Sequence, residues 1–197
     1  MAGCSNGQTE SKRANVEESV KSANITKMFR QALRIAKPLL TRSVATEAKL
    51  AELGYVLPAV NPPKGSYVLC TRSADGKTLY TAGHLPQPAD GDLVTGKIGA
   101  DLTVEQGTQA AEYAGLSLLA TLKHELGDLD KVKRIVKVVG FVNCTDGFSQ
   151  QPAVINGASD LFAAVLGDRG VHARSAVGTN ALPLNVAVEV ECVVEIE

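Results

Sequence analysis

The last twelve residues, "VAVEVECVVEIE" (Val186–Glu197), decide the fold. Val186, Val188, Val190, Cys192, Val194 and Ile196 fall on one side of an extended chain, and Ala187, Glu189, Glu191, Val193, Glu195 and Glu197 on the other. Side chains alternate across a strand with period two, so the first set reads as a core face. The second face carries four carboxylates. Such a face is ordinary against solvent and resists edge-to-edge pairing. Beneath a partner, each Glu would need a purpose.

Upstream, "QQPAVINGASDLFAAVLG" (150–167) reads as a helix, with Pro152 in its first turn and Gly167 just past its end. "KVKRIVKVVGFVN" (131–143) reads as a strand with Val132, Val136, Val138 and Val142 on one face. The clearest helix lies before it. Thr103 and Gln106 form a capping box and Gly127 stops the run. Val104, Ala111, Ala114, Leu118 and Leu122 make one stripe, and Gly107, Ala110, Ala111 and Gly115 let the helix sit close on a sheet. "SYVLCTRS" (66–73) and "KTLYTAG" (77–83) read as two strands joined at Ala74-Asp75-Gly76, a hairpin signal. "TEAKLAELG" (46–54) is a short helix closed by Gly54, "LPAVNPPKG" (57–65) a Pro-rich connection, and residues 84–101 a loop with a short strand at its end. Two long helices cannot cover both faces of such a sheet. The expectation is a two-layer α/β (α+β) domain, helices on one face and the other face bare or covered by another subunit.

Composition fits one soluble domain with an appendage: 197 residues, 45% hydrophobic and 21% charged. With no Trp, the core rests on Val, Leu, Ile and Ala. No apolar run approaches the roughly 18 residues of a membrane span. Cys4, Cys70, Cys144 and Cys192 form no CxxC pair and read as reduced thiols. His84, His124 and His172 lack metal-ligand spacing, so neither a metal nor a cofactor is expected.

Charge is unevenly spread. Residues 1–45 carry eight Lys/Arg against three Asp/Glu, whereas residues 46–197 carry twelve against eighteen. The acidic body lacks the positive field that nucleic acid requires. Between Glu18 and Glu47 there is no acidic residue, while Lys27, Arg30, Arg34 and Lys37 recur at helical spacing with Phe29, Ala32, Leu33, Ala36 and Leu40. That composition is expected of a mitochondrial targeting helix within a disordered leader, residues 1–45, with Met28 as an alternative start; the other reading is a surface or membrane-interface helix on a cytoplasmic protein. The folded domain is then 46–197.

Some motifs carry no chemistry. Gly91 to Lys97 spells GxxxxGK, but Ile98 stands where a phosphate loop needs Ser or Thr, and no strand leads in. The two Asn-x-Thr sequons lack a secretory signal. Structural roles are expected of His84 and His172. Arg174, in "RSAVG" (174–178), is from spacing alone an ion-pair partner for a strand glutamate.

Four segments change that reading: "YTAGHLP", "FVN", "INGASDLF" and "HARSAVGTNALPLNVAVEVECVVEIE". Together they resemble the YjgF/RidA family, also called endoribonuclease L-PSP or chorismate mutase-like proteins, over roughly residues 60–197. The resemblance implies a mixed sheet with two helices on one face. It also implies a trimer, its sheets around an inner β-barrel and clefts between subunits. It implies that Arg174 holds the carboxylate of a small imino or enamino acid and that Glu189 positions or deprotonates the water that hydrolyses it to a 2-oxo acid and ammonia. A guanidinium suits this because it stays charged and grips a carboxylate through two parallel hydrogen bonds. Tyr67 is implied to close the pocket from a neighbouring subunit, Gly83 and Asn156 to line it, and backbone near Ala176 to meet the imine nitrogen. Two positions depart from the pattern. Ala82 stands for the usual Ser, and Ala176 for the usual Cys. They keep two alternatives open: a non-catalytic trimer that binds small carboxylates, and RNA cleavage, which the acidic body disfavours.

Overall fold

The computed structural model describes residues 45–197. The expected leader and its targeting helix therefore lie, but for Ala45, outside the described residues. The chain runs α1 (Thr46–Glu52), β1 (Cys70–Arg72), β2 (Thr78–Thr81), α2 (Val104–Leu126), β3 (Val132–Asn143), α3 (Gln151–Leu166), β4 (Ala173–Thr179) and β5 (Val188–Ile196). The sheet order is β1-β2-β5-β3-β4. Only the β3–β4 pair is parallel, which makes the sheet mixed.

Strand β5 holds the centre, between β2 and β3. Val186, Val188, Val190, Cys192, Val194 and Ile196 are all buried, as the alternation requires. Val188, Val190, Cys192, Val194 and Ile196 share one core with Leu118, Leu122, Ile155 and Phe162 of the two long helices, and just ahead of the strand it is Ala187, expected on the other face, rather than Val186 that joins this core. Burying each such aliphatic side chain stabilises the fold by about 1.5–3 kcal/mol. The opposite face is more open: Glu189, Glu191 and Val193 are half-buried, and Tyr80 and Val177 are 49% and 45% exposed.

The capping box forms as read: Thr103 Oγ1 accepts from Gln106 N, and Gln106 Oε1 accepts from Thr103 N. The helix ends at Gly127 with φ +78, a conformation that favours glycine. Helix α3 begins with Pro152 in its first turn and is followed by Gly167. The two helices meet backbone to backbone. A Cβ on Gly157 would lie 1.9 Å from the Thr108 carbonyl oxygen, so only glycine fits that crossing.

Besides Ala187, four details differ from the sequence reading. Val136 is not in the core. It is 43% exposed, and Ile135 is buried in its place. The cause is a pair of irregularities in the β3–β5 ladder, at 132/134 and 135/137, each of which shifts the side-chain phase by one residue. β1 pairs only from Cys70, so Tyr67 and Val68 stand outside the ladder and are exposed. β4 is a strand of its own, parallel to β3, with Val138 opposite Arg174. Its weak alternation hides it, and the connection through α3 is what a parallel pair requires. The segment after β2 is not a free loop. His84 bridges Val190 and Thr95 bridges Val186, so it runs along β5.

The GxxxxGK segment is a structural tie: Lys97 Nζ donates to the carbonyls of Cys144, at 3.2 Å, and Asn180. Among the described residues no helix is long and apolar enough to cross a membrane, and no group of three His, Cys, Asp or Glu is placed to hold a metal.

The helix crossing gives a direct test. Gly157→Ala should lower unfolding free energy by about 2–3 kcal/mol through overpacking against backbone. Gly76→Ala, with open space but φ +72, should cost only about 1 kcal/mol. Urea denaturation of both variants checks the ranking, and equal losses would contradict it.

Candidate functional site

Arg174 lies on β4 opposite the buried Val138, so its side chain emerges on the helix side of the sheet. There α3 receives it. Nη1 donates to Asn156 Oδ1 at 2.9 Å and to Ser159 Oγ at 2.9 Å, and Nη2 donates to the Pro152 carbonyl at 3.1 Å. Pro152, Asn156 and Ser159 are spaced i, i+4, i+7, which puts them on one face of the helix. All three acceptors are neutral. Among the described residues no carboxylate pairs with Arg174, so the strand-glutamate ion pair does not form. A guanidinium has five N–H donors. These contacts use three of them and leave Nε–H and one Nη2–H without a partner among the described residues.

Glu189 is on the other face. It pairs with Phe141, three residues from Val138 on β3, an odd step along a regular part of the ladder. Its carboxylate lies over Gly83: a Cβ there would meet Glu189 Oε1 at 1.7 Å. The His84–Val190 bridge fixes this approach, with N–H···O distances of 2.8 and 3.0 Å. Burial, and then the charge of Glu191, raise the Glu189 carboxyl above its usual range.

A cavity of about 170 Å³ opens beside Gly83, with Tyr67, His84, Leu85, Ser117 and Thr121 among its walls. The half-exposed Tyr67 hydroxyl accepts the Lys64 N–H at 3.4 Å and has no other partner among the described residues. His84 is buried. Its Nδ1 lies 2.8 Å from the Ala82 carbonyl and its Nε2 lies 2.8 Å from Thr121 Oγ1. A carbonyl only accepts, so Nδ1 carries the proton and Nε2 accepts from the threonine.

The expected site residues therefore fall into two groups within one chain. Gly83 ties one together: it lies under Glu189 and lines the cavity with Tyr67, although Glu189 itself is not among the cavity walls. Arg174 and Asn156 belong to the other, with Ala176 two residues along β4 on the same side, partly buried against the core. Ser159 and the Pro152 carbonyl were not among the expected residues. The i, i+4, i+7 spacing through Asn156 is the signal that points to them.

A family model described as "YjgF/chorismate mutase-like, putative endoribonuclease" matches residues 47–196. The chain belongs to this family. Protein TCP17 of Trypanosoma cruzi is 45% identical over 150 residues, covering 76% of this chain and 92% of that protein. The solved structure of Atu1372 from Agrobacterium tumefaciens, a protein of unknown function, has 44% identity and a TM-score of 0.70, covering 78% of this chain and 94% of that one. A Shewanella oneidensis structure named as a "putative endoribonuclease" has 31% identity and a TM-score of 0.74, covering 78% and 100%. The YjgF/RidA likeness thus spans both halves of the site and the whole sheet.

His84 gives this region a pH signature. Burial lowers its pKa to about 4, against about 6.5 in an unfolded chain. Above pH ~6.5 both states are neutral there; as pH falls toward 4 only the unfolded chain takes up the proton, so stability is lost in that window, by about 3 kcal/mol at most. Unfolding free energy measured from pH 7 to 4 should fall less steeply in His84→Gln than in the wild type. Identical slopes would contradict the burial of a neutral ring.

Proposed function

We propose that the protein hydrolyses reactive 2-imino and enamino acids to 2-oxo acids and ammonia. The observation that carries this reading is the guanidinium of Arg174, fixed by neutral acceptors with unspent donors and no carboxylate beside it. A fixed, uncompensated cation with two donors to offer fits a carboxylate. The substrate carboxylate takes those donors, which orients the imine carbon.

Glu189 supplies the base. Its raised pKa makes its carboxylate a better proton acceptor than a solvated one. It takes a proton from water as the oxygen bonds to the imine carbon, and passes that proton to the imine nitrogen. The resulting carbinolamine gives its hydroxyl proton to nitrogen by the same carboxylate, the carbon–nitrogen bond breaks, and ammonia leaves with the 2-oxo acid. No cofactor enters the balance. Because Arg174 and Glu189 face opposite sides of the sheet in one chain, the complete site draws its Arg174–Asn156 half and its Tyr67–Gly83–Glu189 half from neighbouring copies. A homotrimer, the assembly that the family resemblance implies, satisfies this need. The backbone by Ala176 then faces the imine nitrogen.

A second reading is a carboxylate-binding trimer without turnover. Ala82 and Ala176 favour it, since each removes a polar side chain from the pocket wall. RNA cleavage is a third reading, disfavoured by the acidic balance of residues 46–197.

The test uses 2-iminobutanoate made in situ by an amino-acid oxidase, with semicarbazide trapping unreacted imine. The full chain should speed imine loss. Arg174→Ala should reduce kcat/KM on the order of 100-fold or more, and Glu189→Gln should lower kcat about as far. Binding of 2-oxobutanoate with no acceleration would select the second reading.

A further inference from the structure

Behind Arg174 lies a chain of polar groups that the proposed reaction leaves unused. Ser159 Oγ, which accepts from Arg174 Nη1 at 2.9 Å, also lies 3.0 Å from His172 Nε2. His172 Nδ1 lies 2.6 Å from the Gly170 carbonyl. Each hydrogen has one place to go. The carbonyl only accepts, so Nδ1 carries the imidazole proton. Nε2 is then an acceptor and takes the Ser159 hydroxyl hydrogen. That leaves the Ser159 lone pairs facing the guanidinium. The direction of every bond is set by the backbone at one end and by the cation at the other.

The anchor is rigid. A Cβ on Gly170 would lie 2.0 Å from the Phe162 carbonyl oxygen, so residue 170 is pressed onto α3. Phe162 also meets the His172 ring edge-on, with centroids 5.9 Å apart and planes at 75°. A proton on Nε2 would reverse the serine bond and place a second cation beside Arg174. Burial first, and then the Arg174 charge, hold His172 below its usual pKa, in keeping with a neutral acceptor.

We propose that Ser159 and His172 are positioning residues for Arg174, forming with the Gly170 carbonyl a one-way relay that locks the guanidinium so that its remaining donors face the substrate carboxylate. This rests on the reading of Arg174 as the carboxylate clamp and adds what holds it in place. Asn156 and the Pro152 carbonyl each hold one N–H, on Nη1 and Nη2 in turn, and leave the second Nη1–H without an acceptor. Ser159 supplies a second acceptor on the same nitrogen.

The test has two arms, both on the full chain. In the first, 15N-histidine NMR should show His172 neutral with the proton on Nδ1 at pH 7.5. Ser159→Ala should shift the Nε2 resonance, since it loses its donor. A proton on Nε2, or an Nε2 signal unmoved by Ser159→Ala, would overturn the relay. The second arm is kinetic, with 2-iminobutanoate. Ser159→Ala and His172→Phe, which keeps the aromatic contact with Phe162, should each raise KM about tenfold with kcat changed far less, the pattern of lost substrate binding. Ser159→Thr, which restores the hydroxyl, should recover most of it. Unchanged KM in both variants, with Arg174→Ala inactive, would overturn the relay while leaving the clamp intact. Full activity in Arg174→Ala would instead remove the clamp, and the relay's role with it.

Discussion

Burial of one face of β5 beneath the two long helices is the contact on which the rest of the chain depends. Five alternating residues, Val188 to Ile196, leave no other register, because a one-residue slip would carry every one of them to the open face and bring the glutamates inward. Once β5 is set, β3 and β2 pair on either side of it, and β4 can only join at the edge beside β3. The same alternation that buries Val188 and Val190 turns Glu189 to the other face. The position of the proposed base is therefore a by-product of core packing.

Charge placement gives the site its character. A guanidinium beside a carboxylate is a closed pair that offers little to a ligand. Arg174 is held instead by an amide oxygen, a hydroxyl and a backbone carbonyl, which fix its geometry without cancelling its charge. Glu189 sits among groups that disfavour its ionised form, which raises its affinity for a proton. The two groups are tuned in complementary senses, one to remain a cation with donors to spare, the other to accept a proton. On the proposed reading, their separation on opposite faces leaves a single chain with two half-sites.

Much of this architecture is legible in the sequence because it rests on local rules. The β5 alternation, the Thr103–Gln106 box, the Asp75-Gly76 turn and the Pro152 and Gly167 boundaries each have a short-range cause. What is not legible has a cause at a distance. Val136 leaves the core because the β3–β5 ladder slips twice, and nothing in its own neighbourhood says so. β4 is a strand because β3 offers it an edge. The candidate residues Arg174, Glu189, Gly83, Asn156 and Tyr67 could be named from family resemblance, but their division between two faces follows only from the register. Ser159 carries a spacing signal, yet it becomes meaningful only once Arg174 is known to point at α3, and nothing in the spacing of His172 marks it.

The proposed activity depends above all on Arg174 acting as an open carboxylate clamp. A crystal structure of the full-length protein with 2-oxobutanoate tests it most directly. The carboxylate should lie within hydrogen-bonding distance of Arg174 Nε and Nη2, with the bonds to Asn156, Ser159 and Pro152 retained. A carboxylate bound elsewhere, with the Arg174 donors facing only solvent, would contradict it.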